Sequence, residues 1–283
     1  MTNCPVCGSA SRSTGIAVET TSRFDIWRCP VCRLAFAAPR PSVADLAAFY
    51  SESYFRRPEG AVVGYADYEG ESWAVANAQR MWEQLRLWEP ELERIEPKVV
   101  LDVGCATGEF AASLAESGWT ARGVELADSA RARAVANGVE AVRTLDQAAA
   151  GNGLVTMFHV LEHVLEPLST LAEARERVAP DGRLVVEVPQ WRSIGRLTRR
   201  GRWSALTPPE HLNFFDRRAM AFALERTGWA VERSATLHPK GIDQAVEAVR
   251  LRRPWSAARY AAITAVLERT GVAGYLRVIA RPV

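Results

Sequence analysis

Val99-Val100-Leu101-Asp102-Val103-Gly104-Cys105-Ala106-Thr107-Gly108-Glu109-Phe110 is the stretch that decides the fold. Val99 to Val103 form an apolar, β-branched run, the composition of a strand buried on both faces. Two glycines, Gly104 and Gly108, follow at once. A helical pattern then starts at Glu109 and carries Phe110, Ala111, Leu114 and Ala115 on one face. Strand, glycine turn and helix together bring backbone close to a nucleotide at the edge of an open parallel sheet. The glycine spacing fits neither the dinucleotide fingerprint nor the phosphate loop, and no lysine follows to hold phosphate charge. The turn therefore suits an adenosine-type ligand without a polyphosphate tail.

Asp102-Val-Gly-Cys-Ala-Thr-Gly108 resembles the first motif of class I S-adenosylmethionine (SAM) dependent methyltransferases, with Ala106 where the middle glycine usually stands. Taken alone, the motif leaves another nucleotide-binding α/β protein open. The resemblance implies an α/β fold, a doubly wound seven-stranded Rossmann-like sheet, with SAM as cofactor. The later segments match it in order. Residues 118–124 read as the second strand and end at Glu125, placed to accept hydrogen bonds from ribose hydroxyls; the other reading is a surface carboxylate. A helix from Ala127-Asp128-Ser129 stops at Asn137-Gly138, a common C-terminal signal. Residues 139–142 form a short third strand, followed by Leu145 and Asp146 where the adenine ring is expected; a solvated turn is the alternative. Residues 154–158 are the fourth strand, and Phe158-His159-Val-Leu-Glu162-His163 is a frequent form of the family's motif there. The acidic residue that usually opens this strand is absent, with Gly153-Leu154 in its place. A crossover helix carrying Leu168, Leu171, Arg175 and Val178 precedes a turn and fifth strand at residues 179–189. Residues 208–215 resemble the family's substrate-side loop, and residues 228–232 its sixth strand. Residues 274–280 supply a seventh, paired antiparallel with the sixth. Carried over residue by residue, the resemblance implies cofactor contacts at Asp102, Gly104, Gly108, Glu125, Leu126, Leu145, Asp146, Phe158 and His159. The arrangement looks most like that of natural-product and sugar-modifying methyltransferases.

At 283 residues, 48% hydrophobic and 24% charged, the chain has the composition of an ordinary globular protein. No run of about 20 apolar residues is present, so no membrane span is expected. The N-terminus lacks a basic region followed by an apolar one, and the expected location is cytoplasmic. A net charge of +2 makes no general case for nucleic acid. Lys98 and Lys240 are the only lysines, a bias toward arginine that reads as codon usage.

Cys4-Pro-Val-Cys7 and Cys29-Pro-Val-Cys32 are two matched C-x-x-C knuckles flanking residues 8–28. Two knuckles give tetrahedral thiolate coordination of zinc, and four protein ligands leave no position open for catalysis. The spacer reads as a hairpin through Ile16, Val18, Phe24, Ile26 and Trp27. A dithiol redox centre or disulfides are the competing readings, weakened by the matched pairs and the missing βαβ context. Cys105 reads as a small packing residue. The expected division is a zinc ribbon over residues 1–41, a helical lid and linker over 42–90, and the methyltransferase domain over 91–283, with a helical insertion at about 241–271. Ser42-Val-Ala-Asp45 is a capping box. A helix resumes at Glu71 with an apolar stripe through Ala74, Ala78, Met81, Leu85 and Trp88. Tyr65 and Tyr68, in the aromatic stretch before it, are expected either to face the sulfonium of SAM or simply to pack. Two helices are expected over residues 242–251 and 256–269.

Methyl transfer from a sulfonium is an in-line displacement, so the protein mainly positions the reactants. A hydroxyl or carbon acid also needs a base, and His titrates near neutrality. His211 is the first candidate, with its neighbour Glu210 orienting the acceptor; His159 is the second. His163 is expected to pack or bond locally. A rival use of the same residues exists: His159-x-x-Glu162-His163 with His211 resembles the metal site of RNA-end 2′-O-methyltransferases and, in part, of ubiquinone O-methyltransferases. Here His159 replaces a glutamate, which suits a hard cation such as magnesium less well. Arg192, Arg196, Arg199, Arg200 and Arg202 crowd the 192–202 segment with Trp191 and Trp203, either as a grip on an acceptor's phosphate or as a solvated loop. The expected activity is SAM-dependent methylation of a small molecule at oxygen or carbon. A SAM-binding scaffold that holds a partner through the ribbon is the alternative from another class.

Overall fold

The computed structural model describes residues 2–20, 22–50, 71–237 and 257–283. Its strands are β1 (Arg12–Glu19), β2 (Arg23–Arg28), β3 (Ala35–Ala38), β4 (Val99–Val103), β5 (Thr120–Val124), β6 (Glu140–Val142), β7 (Asn152–Phe158), β8 (Val178–Pro189), β9 (Asn213–Phe214), β10 (Trp229–Leu237) and β11 (Tyr275–Pro282). The helices are α1 (Val43–Phe49), α2 (Glu71–Trp88), α3 (Glu109–Ala115), α4 (Asp128–Ala136), α5 (Pro167–Arg177), α6 (Ile194–Arg199), α7 (Arg217–Arg226) and α8 (Ala257–Arg269).

The main sheet has seven strands in the order β10-β11-β8-β7-β4-β5-β6. The five strands from β8 to β6 are parallel; β11 is antiparallel to both β8 and β10. This is the doubly wound seven-stranded sheet expected from the glycine-turn motif. The terminal strand pairs with β10 as anticipated and also wedges against β8. Residues of β4, β7 and β8 that read as continuous apolar runs, among them Val100, Leu101, Leu154, Val155, Leu184 and Val185, are fully buried. Gly153 explains its own departure from the family pattern. A Cβ there would lie 2.0 Å from the Pro97 carbonyl oxygen, so no side chain fits.

A second sheet, fully antiparallel, runs β1-β2-β3-β9. Residues 34–41, at the end of the expected ribbon, contain β3, which is buried along its whole length. Its outer partner β9 comes from residues 213–214, far away in sequence. Cys4, Val6, Cys29, Cys32, Leu34 and Phe36 belong to the same hydrophobic cluster as Leu101, Val155, Phe215 and Trp229. The capping box forms as read, with Asp45 N–H on Ser42 Oγ at 3.1 Å and Ser42 N–H on Asp45 Oδ2 at 2.8 Å. The crossover helix ends at Arg177, and Val178 instead opens β8 opposite Asn152. The second C-terminal helix is present as α8; the helix expected over 242–251 lies outside the described residues, as do Tyr65 and Tyr68. Among the described residues no helix is long and apolar enough to cross a membrane.

Candidate active site

The sheet order reverses at β4, which is flanked by β5 and β7, and the residues singled out in the sequence collect at the carboxyl ends of these strands. Gly104 and Gly108 both adopt positive φ, at 73° and 85°. A Cβ at Gly104 would meet Val160 at 2.8 Å, and one at Gly108 would meet Val139 at 2.9 Å. Ala106, between them, also sits at φ 50°, a conformation that favours glycine. Glu125, at the tip of β5, accepts the Ala106 N–H at 3.0 Å through Oε2 and the Ala127 N–H at 2.9 Å through Oε1. It thereby ties the glycine bend to the next loop. Burial pushes its pKa up, against the pull of these backbone donors. Leu126, beside it, is 63% exposed, a large apolar side chain held out at the crevice edge.

Asp102 is buried and accepts the Thr156 hydroxyl at 2.6 Å, its register partner across β4 and β7. Burial pushes its carboxyl up to about 7. The Leu145 side chain packs into the core, so this loop offers its backbone and exposed Asp146 to the outside. Arg177 holds the loop, donating to the carbonyls of Leu145 at 3.0 Å and Asp146 at 3.2 Å. Phe158 packs edge-on against Phe110, with ring centroids 4.9 Å apart. Cys105 is buried where a Cβ on Gly123 would be 2.5 Å from its sulfur, in agreement with a packing role.

His159 leaves β7 at φ 57°. Its Nδ1 lies 3.1 Å from Glu162 Oε1 and its Nε2 3.7 Å from Glu187 Oε1, with Tyr275 edge-on at 4.8 Å. Burial opposes a charge on this ring, but the Glu162 hydrogen bond and the two carboxylates outweigh it and raise the pKa. Glu187 is itself buried and held by Arg277, whose Nε and Nη2 both lie 2.6 Å from Oε2. This pair was missed in the sequence reading; the signal was a lone carboxylate inside the apolar run of residues 184–188.

His163 Nδ1 lies 2.9 Å from the Glu210 carbonyl oxygen and 3.0 Å from Tyr50 Oη, while its ring stands edge-on to His211 at 4.7 Å. His211 Nδ1 lies 2.8 Å from the Ala205 carbonyl oxygen. A carbonyl only accepts, so in the neutral rings both Nδ1 atoms carry hydrogen and both Nε2 atoms keep a lone pair. Burial pushes His163 down to about 4, which keeps it neutral. Between these rings and His159 lies Glu162, buried, with Oε2 lacking any partner among the described residues. Ligating atoms of Glu162, His163 and His211 all fall within 4.8 Å of one another. Glu210 joins the cluster through its backbone carbonyl.

The four cysteines of the knuckles also converge. Cys4 and Cys32 sulfurs are 3.4 Å apart, as are those of Cys7 and Cys29, and all four lie within 4.8 Å. Val6 N–H points at Cys4 Sγ at 3.4 Å and Val31 N–H at Cys29 Sγ at 3.3 Å, donors that stabilise thiolates. In the arginine-rich segment, Trp191 and Trp203 are buried with Phe214 in a core of their own, and Arg196 lies over Trp191 at 4.1 Å. Arg192 is exposed.

Residues 77–234 match the methyltransferase-domain family, more than half of the chain, and the chain belongs to that family. It is 32% identical over 133 residues to the ubiquinone biosynthesis O-methyltransferase of Salmonella paratyphi A, covering 38% of this chain and 54% of that protein. The chain spans about half the length of the curated relatives it matches. Its fold is similar to that of magnesium protoporphyrin IX methyltransferase from Synechocystis PCC 6803 with bound SAH (TM-score 0.53, 14% identity, 86% of this chain and 100% of that one). It is also similar to a SAM dependent methyltransferase from Archaeoglobus fulgidus (TM-score 0.52, 18% identity, 72% and 94%).

Proposed function

We propose that this chain transfers a methyl group from SAM to a small-molecule acceptor, at oxygen or carbon. The observation that carries this is the glycine bend drawn to Glu125 at the switch point of the sheet, in a chain of the methyltransferase-domain family. The bend suits the cofactor, because Gly104 and Gly108 turn it at positive φ with bare backbone and Leu126 offers an exposed apolar face beside it. Glu125 has lone pairs left for the ribose hydroxyls after its two backbone bonds. Leu126, Phe158 and the 145–146 loop flank the adenine, and Asp102, Gly104, Gly108 and His159 line the remainder. Bound SAM supplies the activated methyl group. The chain aligns the acceptor behind it, excludes water and removes a proton. His211 is the base in this reading. Its Nδ1 is committed to Ala205, which leaves Nε2 to take the proton. His159, bracketed by Glu162 and Glu187, is less available for that role and instead orients Glu162. The name of the Salmonella relative favours oxygen as the attacking atom. An acceptor from natural-product or sugar biosynthesis remains our reading of the resemblance, and a phosphate on it would meet the 192–202 arginines.

Calorimetry with SAM and S-adenosylhomocysteine, followed by labelled SAM with a panel of hydroxyl-bearing acceptors, tests this. Binding with release of S-adenosylhomocysteine is expected. Binding without release under every acceptor favours a scaffold, and no binding removes the assignment. His211→Ala is expected to fold, bind SAM and lose about two to four orders of magnitude in turnover; unchanged kinetics would remove it from the mechanism.

A second reading has its own observation. Ligand atoms of Glu162, His163 and His211 lie within 4.8 Å of one another, and buried Glu162 has one carboxylate oxygen with no partner among the described residues, an arrangement that a divalent cation satisfies. Glu162, His163 and His211 would hold it, and it would supply Lewis-acid activation of a hydroxyl. Full activity after chelation that leaves the cysteine-bound metal in place would dispose of it. At the N-terminus we assign structural zinc to Cys4, Cys7, Cys29 and Cys32, a donor set that zinc favours. Metal analysis of the purified chain, expected near one equivalent, checks this.

A further inference from the structure

We propose that Arg40, on the chain leaving the ribbon sheet, is the positioning residue that sets how His163 and His211 face each other. This rests on the reading of the two histidines as parts of one acceptor site. They sit on separate loops: residues 159–166 leave β7, and residues 203–212 lead into β9. Neither loop contains a helix or strand, and only a few bonds around Glu162 and Asn213 join them directly. Arg40 reaches both. Its Nη2 donates to the carbonyls of Val164 at 3.3 Å and Leu165 at 2.6 Å on the first loop. Its Nη1 donates to the carbonyl of Leu212 at 3.2 Å and to Asn213 Oδ1 at 2.9 Å on the second.

A planar guanidinium fork delivers donors along two directions from one rigid group, so one side chain fixes both separation and orientation. Asn213, held by Arg40, carries the brace further. Its Nδ2 donates to Leu161 at 2.9 Å and to Val164 at 2.7 Å, while the Leu212 and Asn213 N–H groups donate to the Glu162 carbonyl at 2.7 Å and 3.0 Å. The backbone beside His163 and His211 is therefore tied twice, directly through the Glu162 carbonyl and again through this guanidinium. The glycine bend and Glu125, on β4 and β5, share none of these bonds.

The fold is expected to stand without Arg40. Val164 O keeps Asn213 Nδ2, and Leu212 O keeps the Ala37 N–H at 3.0 Å. Of the four acceptors, Leu165 O and Asn213 Oδ1 lose their described donor. The expected consequence is a misaligned site in a folded protein.

Arg40→Gln and Arg40→Lys, made in the full metal-replete chain with isotope-labelled histidine, test this. The readout is the ring-to-ring nuclear Overhauser contact between His163 and His211, alongside S-adenosylhomocysteine binding. Wild type is expected to show the contact. Both variants are expected to bind S-adenosylhomocysteine as wild type does and to lose the contact, because a single ammonium cannot replace the fork. Added guanidinium ion is expected to restore it in Arg40→Gln, a rescue that general destabilisation would not give. If Arg40→Gln fails to fold, Arg40→Lys decides. A contact that persists in a folded variant overturns the role of Arg40 and leaves the methyl-transfer reading intact. Failure of wild type to bind S-adenosylhomocysteine sinks that reading instead.

Discussion

Ala106 occupies the left-handed region where its family commonly places glycine. That conformation costs an L-residue about 1–2 kcal/mol, while glycine adds back about 0.5–1 kcal/mol in unfolded-chain entropy. Ala106→Gly is therefore expected to stabilise the chain by up to about 1 kcal/mol, seen as a small rise in thermal midpoint. A fall would mean that the alanine methyl packs better than the bend suggests. Asp102 carries the opposite kind of cost. Its carboxyl titrates at about 7 because it is buried, well above the usual carboxylate value. A raised pKa favours the folded state fully at low pH, and that contribution drains away as pH rises from about 4 to about 7. The gap corresponds to roughly 4 kcal/mol at most. Asp102→Asn keeps an acceptor for Thr156 and is expected to flatten this part of the stability–pH curve, read by urea unfolding at several pH values. An unchanged slope would place the titration elsewhere.

At the scale of elements, β8 and β11 meet around one ion pair. Glu187 and Arg277 face each other across the antiparallel pair and are almost wholly buried. A buried pair is weak evidence for stability, but breaking one side strands a charge, at a cost of about 3–5 kcal/mol. Glu187→Gln is expected to cost on that order, and Glu187→Leu combined with Arg277→Met to recover most of it. In the Glu187→Gln variant His159 also loses one of its two carboxylates, so the His159 resonances should move more than those of His163. Additive losses in the double variant would show that the two residues act separately. None of this pair was legible locally. Glu187 stood out as a carboxylate in an apolar run, yet its partner lies on a strand that the chain reaches only after residue 270.

The ribbon and the methyltransferase sheet behave as neighbours in one core. The cysteine knuckles share a hydrophobic cluster with β4, β7 and β8, and β9 completes the ribbon sheet from residues 213–214, far along the chain. Structural zinc in isolated peptides is worth about 10–16 kcal/mol at neutral pH. Chelation strong enough to strip the cysteines is expected to lower a single cooperative unfolding transition by several degrees or more. Loss of ribbon signals with the main transition unmoved would show instead that the ribbon is an independent module.

Much of this molecule was written in short-range signals. The apolar run from Val99 to Val103, the glycines after it and the acidic residue at the next strand tip specified a parallel sheet and the bend at its switch point. The Cys-x-x-Cys spacing specified a four-cysteine cluster, and Ser42 with Asp45 a helix start. Such signals are readable because periodicity, turn chemistry and capping act within a few residues. The tertiary structure alone decided that a two-residue strand would stitch the 203–212 loop to the ribbon sheet, that Arg40 would span two loops, and that Glu162 would lie buried between three histidines. Those outcomes depend on which distant segments the sheet order brings side by side, and no local pattern of side chains encodes that proximity.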